Sequence, residues 1–197
     1  MCNDYEQHVA YADYQAAIKA LDLPTPQGET AADLPQADDI RIGDLGPVLI
    51  ATGNGVGLVP MRFGFPPPRP KAAPVFNFKS DGRHFADSRR CIVILSGFFE
   101  FTGTKYPKAK HRFTLNDSPV MGIAGLWREG EGGEPPSFAM LTTAPGPDIA
   151  PYHDRQVVVL RPADWAHWLF LTKPEEELLK PLLAGSLKVE TVRPESK

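Results

Sequence analysis

The sequence predicts an α+β fold dominated by antiparallel β-sheet, with helices at its periphery. Short runs rich in β-branched and aromatic residues recur along the chain, with Gly and Pro between them. Their spacing favours antiparallel neighbours over repeated βαβ units. Helical periodicity is confined to the two ends. No repeat or low-complexity segment intervenes, so residues 1–197 read as one domain, long enough to bury a substantial core.

From Tyr5 to Leu21 the apolar positions Tyr14, Ala17, Ile18 and Leu21 lie on one helical face, and Pro24 and Pro26 end the pattern. Residues 24–46 read as a surface connection. Strands are predicted at Val48 to Thr52 and Leu58 to Phe65. The stiff Pro66-Pro67-Pro68-Arg69-Pro70 segment after them cannot enter a sheet interior. Cys91 to Phe101 carries the strongest strand signal, with Gly97 predicted to mark a bulge or a close backbone approach. Further strands are predicted at His111 to Leu115, Val120 to Trp127, Phe138 to Thr143 and Gln156 to Leu160. One closing helix should begin near Pro162 and carry Trp165, Trp168 and Leu169. A second has Thr172 and Glu175 at capping-box spacing. A last strand is predicted from Lys188 to Val192.

The formal net charge of −3 argues against a wholesale polyanion binder, although a local basic face remains open. Two cysteines without a CxxC pair disfavour a disulfide framework or a cysteine-rich zinc site, and fit a reducing cytoplasm. No apolar run approaches the roughly 18 residues of a membrane span, and the acidic start is no secretory signal. The histidines show no metal-ligand spacing, so neither metal nor cofactor is expected.

Five places carry candidate chemistry. Cys2 is small enough that removal of Met1 would leave it N-terminal, with a thiol and an α-amine on adjacent carbons; that pair condenses with an aldehyde and closes a five-membered ring. Glu100 sits among Phe98, Phe99 and Phe101, and alternation places it with Phe98. There it is either buried with a raised pKa or at an edge facing water. His153, at the mouth of a strand, suits acid-base work or a loop hydrogen bond, and Asp154-Arg155 reads as an ion pair anchoring that loop. Asn77 offers one oriented hydrogen bond or ordinary turn chemistry. Basic residues gather at Arg89-Arg90 and along Lys105, Lys108, Lys110 and Arg112, as phosphate contacts or as solvated loops.

Taken in order, Cys2, Asn77-Phe78-Lys79, Arg89-Arg90-Cys91 leading into Ser96-Gly97-Phe98-Phe99-Glu100-Phe101, Gly125-Leu126-Trp127, Leu141-Thr142-Thr143-Ala144 and His153-Asp154-Arg155 resemble the SOS-response-associated peptidase (SRAP) family. The resemblance implies a protein of the DNA damage response that exposes Cys2 and binds single-stranded DNA containing an abasic site. Cys2 then forms a thiazolidine with the ring-opened sugar. It further implies that Glu100 poises the α-amine, that His153 assists ring opening and proton transfer, and that Asn77 fixes the cysteine. Arg62, Phe63, Lys79, Arg89, Arg90, Thr142 and Thr143 become the implied DNA contacts, and the protein an expected cytoplasmic, nucleoid-associated monomer. Asn3-Asp4 stands where the family has Gly-Arg, which should add repulsion of phosphate. Phe63 stands where the family has an indole and can still stack on a base, with less area. Two alternatives stay open: a cysteine-dependent peptidase that removes its own Met1 and could cut other peptides, and a DNA-binding module with weakened chemistry.

Overall fold

The computed structural model describes residues 2–24, 28–53, 55–67 and 69–196. Strand β1 (Asp4–Gln7) opens the chain, α1 (Tyr11–Lys19) follows, and β2 (Ala37–Arg41) returns beside β1. The hairpin of β3 (Leu45–Thr52) and β4 (Gly55–Phe63) leads to short β5 (Asn77–Lys79), then β6 (Arg90–Leu95) and β7 (Gly97–Thr102). Next come β8 (Ala109–Leu115), β9 (Met121–Arg128), β10 (Ser137–Thr143), β11 (Gln156–Val157) and β12 (Val159–Leu160). Helices α2 (Pro162–Phe170) and α3 (Glu175–Leu178) and strand β13 (Leu187–Arg193) close the chain.

One sheet has the order β13-β8-β7-β1-β2. In the other, β10, β4, β3, β6 and β9 pair in turn, and β9 pairs back to β10. That circuit is a barrel, which removes the free edges an open sheet would expose. Pairing is antiparallel except where β10 meets β4 and β5. The fold is therefore the expected sheet-dominated α+β arrangement.

Alternation along the barrel strands builds two cores. Val48, Ile50, Cys91 and Val93 point into one, shared with Tyr5, Phe98 and Phe113 of the five-stranded sheet. Leu49, Ile92 and Ile94 point the other way, onto Tyr14 and Ile18 of α1 and Trp165 and Trp168 of α2. A strand buried on both faces has no polar alternation, which is why β6 reads as one apolar run.

Five expectations are corrected. The first helix starts at Tyr11, because Asp4 to Gln7 form a strand whose acids are neutralised by β8, about a hundred residues away. Residues 37–41, expected in a connection, are strand β2. Cys91 to Phe101 is two strands in two sheets, with the corner at Ser96. Gly97 is required there: a Cβ would fall 2.9 Å from Glu6 Oε1 and 3.1 Å from the Phe113 carbonyl oxygen. The run Gln156 to Leu160 divides at Val158, where the chain passes from β10 to β9. Finally, Thr172 caps nothing. Its hydroxyl lies 2.6 Å from His167 Nδ1, Glu175 accepts from the Phe85 amide, and the residue before α3 is Pro174. Pro26 and Pro68 lie outside the described residues.

Candidate active site

Cys2 lies just ahead of β1, and its side chain is fully buried. Its thiol donates to the Asp4 carbonyl oxygen at 3.4 Å. Asn77, at the start of β5, donates from Nδ2 to the Cys2 carbonyl oxygen at 3.0 Å. Pairing of β5 with β10 sets Asn77 beside Met140, so this bond ties the chain's first residues to the barrel. Burial pushes the Cys2 thiol well above its ordinary range, and the charge of Glu100 adds to the effect. Cys2 is therefore a neutral thiol near neutral pH. Met1 lies outside the described residues.

Glu100 sits on β7 with 1% of its surface exposed, facing His111 of β8 and sharing its face with Phe98. Burial is the largest influence on its carboxyl, which is pushed up to about 7; the nearby charge of Asp154 acts in the same direction. His153 ends the turn that follows β10, where its amide donates to the Ile149 carbonyl oxygen at 3.0 Å. Its Nδ1 accepts from the Arg155 amide at 3.0 Å and lies 2.8 Å from Asp154 Oδ1. The first contact suits neutral imidazole and the second suits imidazolium. Burial holds His153 below the usual imidazole range, against the pull of Asp154. Glu100 and His153 line one cavity of about 380 Å³ together with Asn3 and Phe101. A carboxyl that titrates near neutrality and an imidazole in the same cavity are equipped to exchange protons with an amine or a hydroxyl.

The proposed DNA contacts do not converge in this way. Phe63 has no exposed surface: it stacks on Phe138 at 5.1 Å between ring centroids and meets Tyr5 edge-on. The expectation that it stacks on a base is corrected, because its ring fills the shared core. Arg90 is also spent internally, donating to the carbonyl oxygens of Phe85, Ala86, Ser88, Trp168 and Leu169. Thr142 and Thr143 are buried in β10, and Thr142 Oγ1 donates to the Phe78 carbonyl oxygen. Arg62 pairs with Glu134 at 2.6 Å, while Arg89 pairs with Glu129 at 2.6 Å and lies over the Trp127 ring. Lys79 is exposed, two residues along β5 from Asn77 and on the same face.

Two ionic expectations also change. Asp4 is not a free anion at the surface: its side chain is 7% exposed and pairs with Lys110 at 2.8 Å. Arg155 does not anchor the loop through Asp154. It pairs with Asp81 at 2.6 Å and donates to the Thr142 carbonyl oxygen. Sequence reasoning missed Asn3, Tyr106 and Arg193 as neighbours of Glu100; Arg193 reaches the cavity only because β13 pairs with β8. Among the described residues no group of three or more His, Cys, Asp or Glu could hold a metal, and no helix is long and apolar enough to cross a membrane.

The family model for SOS response associated peptidase (SRAP) matches residues 1–195. The chain belongs to the SRAP family. Abasic site processing protein YoqW of Bacillus subtilis is 28% identical over 151 residues, 68% of this chain and 67% of that protein. An abasic site processing protein of Saccharomyces cerevisiae is 28% identical over 101 residues, 49% of this chain and 27% of that protein. The SRAP chain thus spans about a quarter of the yeast relative's length. Among solved structures, a protein of Bordetella bronchiseptica has a TM-score of 0.70 at 22% identity, covering 98% of this chain and 100% of that one. A protein of Bacteroides thetaiotaomicron has a TM-score of 0.72 at 16% identity, covering 98% and 92%. At those identities the likeness is one of fold.

Proposed function

We propose that this SRAP protein processes abasic sites in single-stranded DNA by covalent capture through Cys2, acting as a cytoplasmic monomer in the response to DNA damage. The observation that carries the reading is the 3.0 Å bond from Asn77 to the Cys2 carbonyl, which fixes Cys2 in the neighbourhood of Glu100. Relatives named as abasic site processing proteins support it.

Removal of Met1 frees the α-amine. At a reference pKa near 8 that amine is mostly protonated at neutral pH. Glu100, with its carboxyl at about 7, accepts the extra proton. The amine nitrogen attacks the aldehyde carbon of the ring-opened sugar, and the carbinolamine loses water to give an imine. His153 moves the protons of ring opening and dehydration. The thiol sulfur then adds to the imine carbon as its proton passes to nitrogen, closing a thiazolidine with net loss of one water. The second addition is intramolecular because thiol and imine belong to the same residue, and Asn77 holds that residue by its carbonyl oxygen.

This order suits a buried, protonated thiol, because the amine reacts first. The peptidase reading needs a thiolate at the outset, and burial beside Glu100 works against one. Intact mass spectrometry of the purified protein, before and after incubation with abasic single-stranded DNA, tests the proposal. The expected product has lost Met1 and gained the DNA mass less one water, survives denaturation, and is absent from Cys2→Ala. A protein without Met1 that forms no adduct under conditions where a family member does would overturn the reading. Retention of Met1 would favour a binding module.

A further inference from the structure

The loop between β7 and β8 carries an aromatic and cationic rim beside the Glu100 cavity. Tyr106, at its tip, is 90% exposed. It lines both the Glu100 and His153 cavity and a neighbouring one of about 390 Å³, and Phe101 and Arg193 are common to the two. Lys108 lines the first cavity, and Arg41 and Lys110 the second. The acid lining the second is Asp4, already paired with Lys110. Arg41 and Lys110 are also paired with Asp39, so Lys108 and Arg193 supply the positive charge beside the aromatic ring.

This rim is held in place. Glu195 accepts from the Thr104 and Lys105 amides at 2.7 Å each. Arg193 donates from Nε and Nη2 to the Lys108 carbonyl oxygen at 3.2 Å each. A bulge between Thr191 and Arg193 shifts the register of β13 against β8, the kind of irregularity that re-aims a side chain. An exposed tyrosine on an anchored loop offers a stacking face at little loss of conformational freedom. Cations lining the same cavity as the ring match the phosphates that flank any base.

We propose that Tyr106, Lys108 and Arg193 form a nucleotide subsite of this SRAP protein. The Tyr106 ring stacks on the base next to the abasic sugar, and Lys108 and Arg193 contact the flanking phosphates. The assignment rests on the reading of single-stranded DNA as substrate. It gives the chain a binding surface distinct from Phe63, Arg90 and the β10 threonines, which the fold consumes.

The test measures fluorescence anisotropy with an oligothymidylate, with and without a central abasic site, across a salt series, alongside adduct formation by mass. Tyr106→Ala should weaken binding of both DNAs by roughly tenfold, with the salt slope unchanged, and Tyr106→Trp should restore it. Lys108→Ala combined with Arg193→Ala should lower the slope of log K against log salt by about 1.4, near 0.7 for each phosphate no longer neutralised. At 90% exposure Tyr106 can be replaced without disturbing the core, and a matched melting temperature checks that. Wild-type adduct formation with unchanged affinity and slope in these variants would overturn the subsite and leave the proposed function standing. Wild-type binding without any adduct, lost in the variants, would uphold the subsite and overturn the capture chemistry. No binding of either DNA by the wild type would overturn the subsite.

Discussion

The five-stranded sheet uses its acids differently on its two faces. On one face, Asp4 and Glu6 of β1 meet Lys110 and Arg112 of β8, with Asp4 at 2.8 Å from Lys110 and Glu6 Oε1 at 2.8 Å from Arg112 Nε. The Lys110 ammonium also lies 3.6 Å from the centre of the Phe99 ring. On the face turned to the shared core, Glu100 sits with Phe98 opposite His111 and Phe113, and Tyr152 covers those two rings. Burial holds His111 below the usual imidazole range, so the residue across from Glu100 is neutral. One face spends carboxylates on cohesion. The other keeps a carboxyl that titrates near neutrality, and groups whose environments separate them in this way mark where acid-base work is done.

The largest expected effect comes from removing that titration. Glu100→Gln should slow adduct formation by 10²- to 10⁴-fold, the usual contribution of a positioned base. It should also abolish a rise in rate with pH centred near 7 in the wild type. Stability should move the other way. The folded chain holds a proton on Glu100 that the unfolded chain has released, so wild-type stability falls as pH rises from 4.5 to about 7. Above pH 7 the variant should be the more stable, by at most about 3 kcal/mol. Chemical denaturation at pH 5 and pH 8, with rates at the same pH values, checks both signs. A variant with wild-type rate, or one less stable at pH 8, would erase the distinction between the faces.

The ionic face should fail by unfolding. Lys110→Ala leaves Asp4 nearly buried without its cation, and loss of one partner from such a pair destabilises by about 3 kcal/mol. Urea melts read this directly. At saturating DNA, adduct formation by the folded fraction should persist, because Lys110 is not a lining residue of the Glu100 cavity.

These contrasts explain what could be read along the chain. Alternation within Phe98-Phe99-Glu100-Phe101 was enough to put Glu100 with Phe98, and β-branched runs located most barrel strands. Those signals are local. The corner at Ser96 was hidden, because Gly97 owes its place to the close approach of Glu6 and Phe113, neither of them near it in sequence. Strand β1 was masked for the same reason: Asp4-Tyr5-Glu6-Gln7 is a poor strand until Lys110 and Arg112 arrive from β8. Asn77 stood out by motif, and the structure puts it on Cys2. Phe63 and Arg90 stood out equally, yet motif order carries no information about exposure, and both are consumed by packing and by backbone carbonyls.

A cation placed opposite Glu100 should make the inner face resemble the outer one. In His111→Lys the ammonium faces the carboxyl across β7 and β8, and an opposite charge at that range lowers a carboxyl pKa by a unit or more. The acid limb of the rate profile should move down by about one pH unit. His111 also contacts the Thr102 and Thr191 hydroxyls, so His111→Gln serves as the comparison that disturbs those contacts without adding charge. A limb that stays near 7 in His111→Lys would separate Glu100 from the observed titration.

The smallest expected effect concerns Asp4, the residue whose charge most suggests weakened DNA binding. An exposed anion beside the DNA path would repel phosphate, and neutralising it would raise affinity and steepen the salt dependence. Here the carboxylate is nearly buried against Lys110, which also reaches Asp39 at 2.5 Å. Asp4→Asn should therefore change stability by less than about 1 kcal/mol, because burial raises the Asp4 carboxyl against the pull of Lys110 and Lys110 keeps Asp39 as a partner. Affinity for single-stranded DNA should change less than about threefold, since the anion removed was already neutralised. Salt-dependent anisotropy on Asp4→Asn decides the point. A tenfold gain would mean that Asp4 faces the DNA and that the ionic face takes part in binding, which would move the boundary between cohesion and chemistry from the sheet's two faces to a position within one of them.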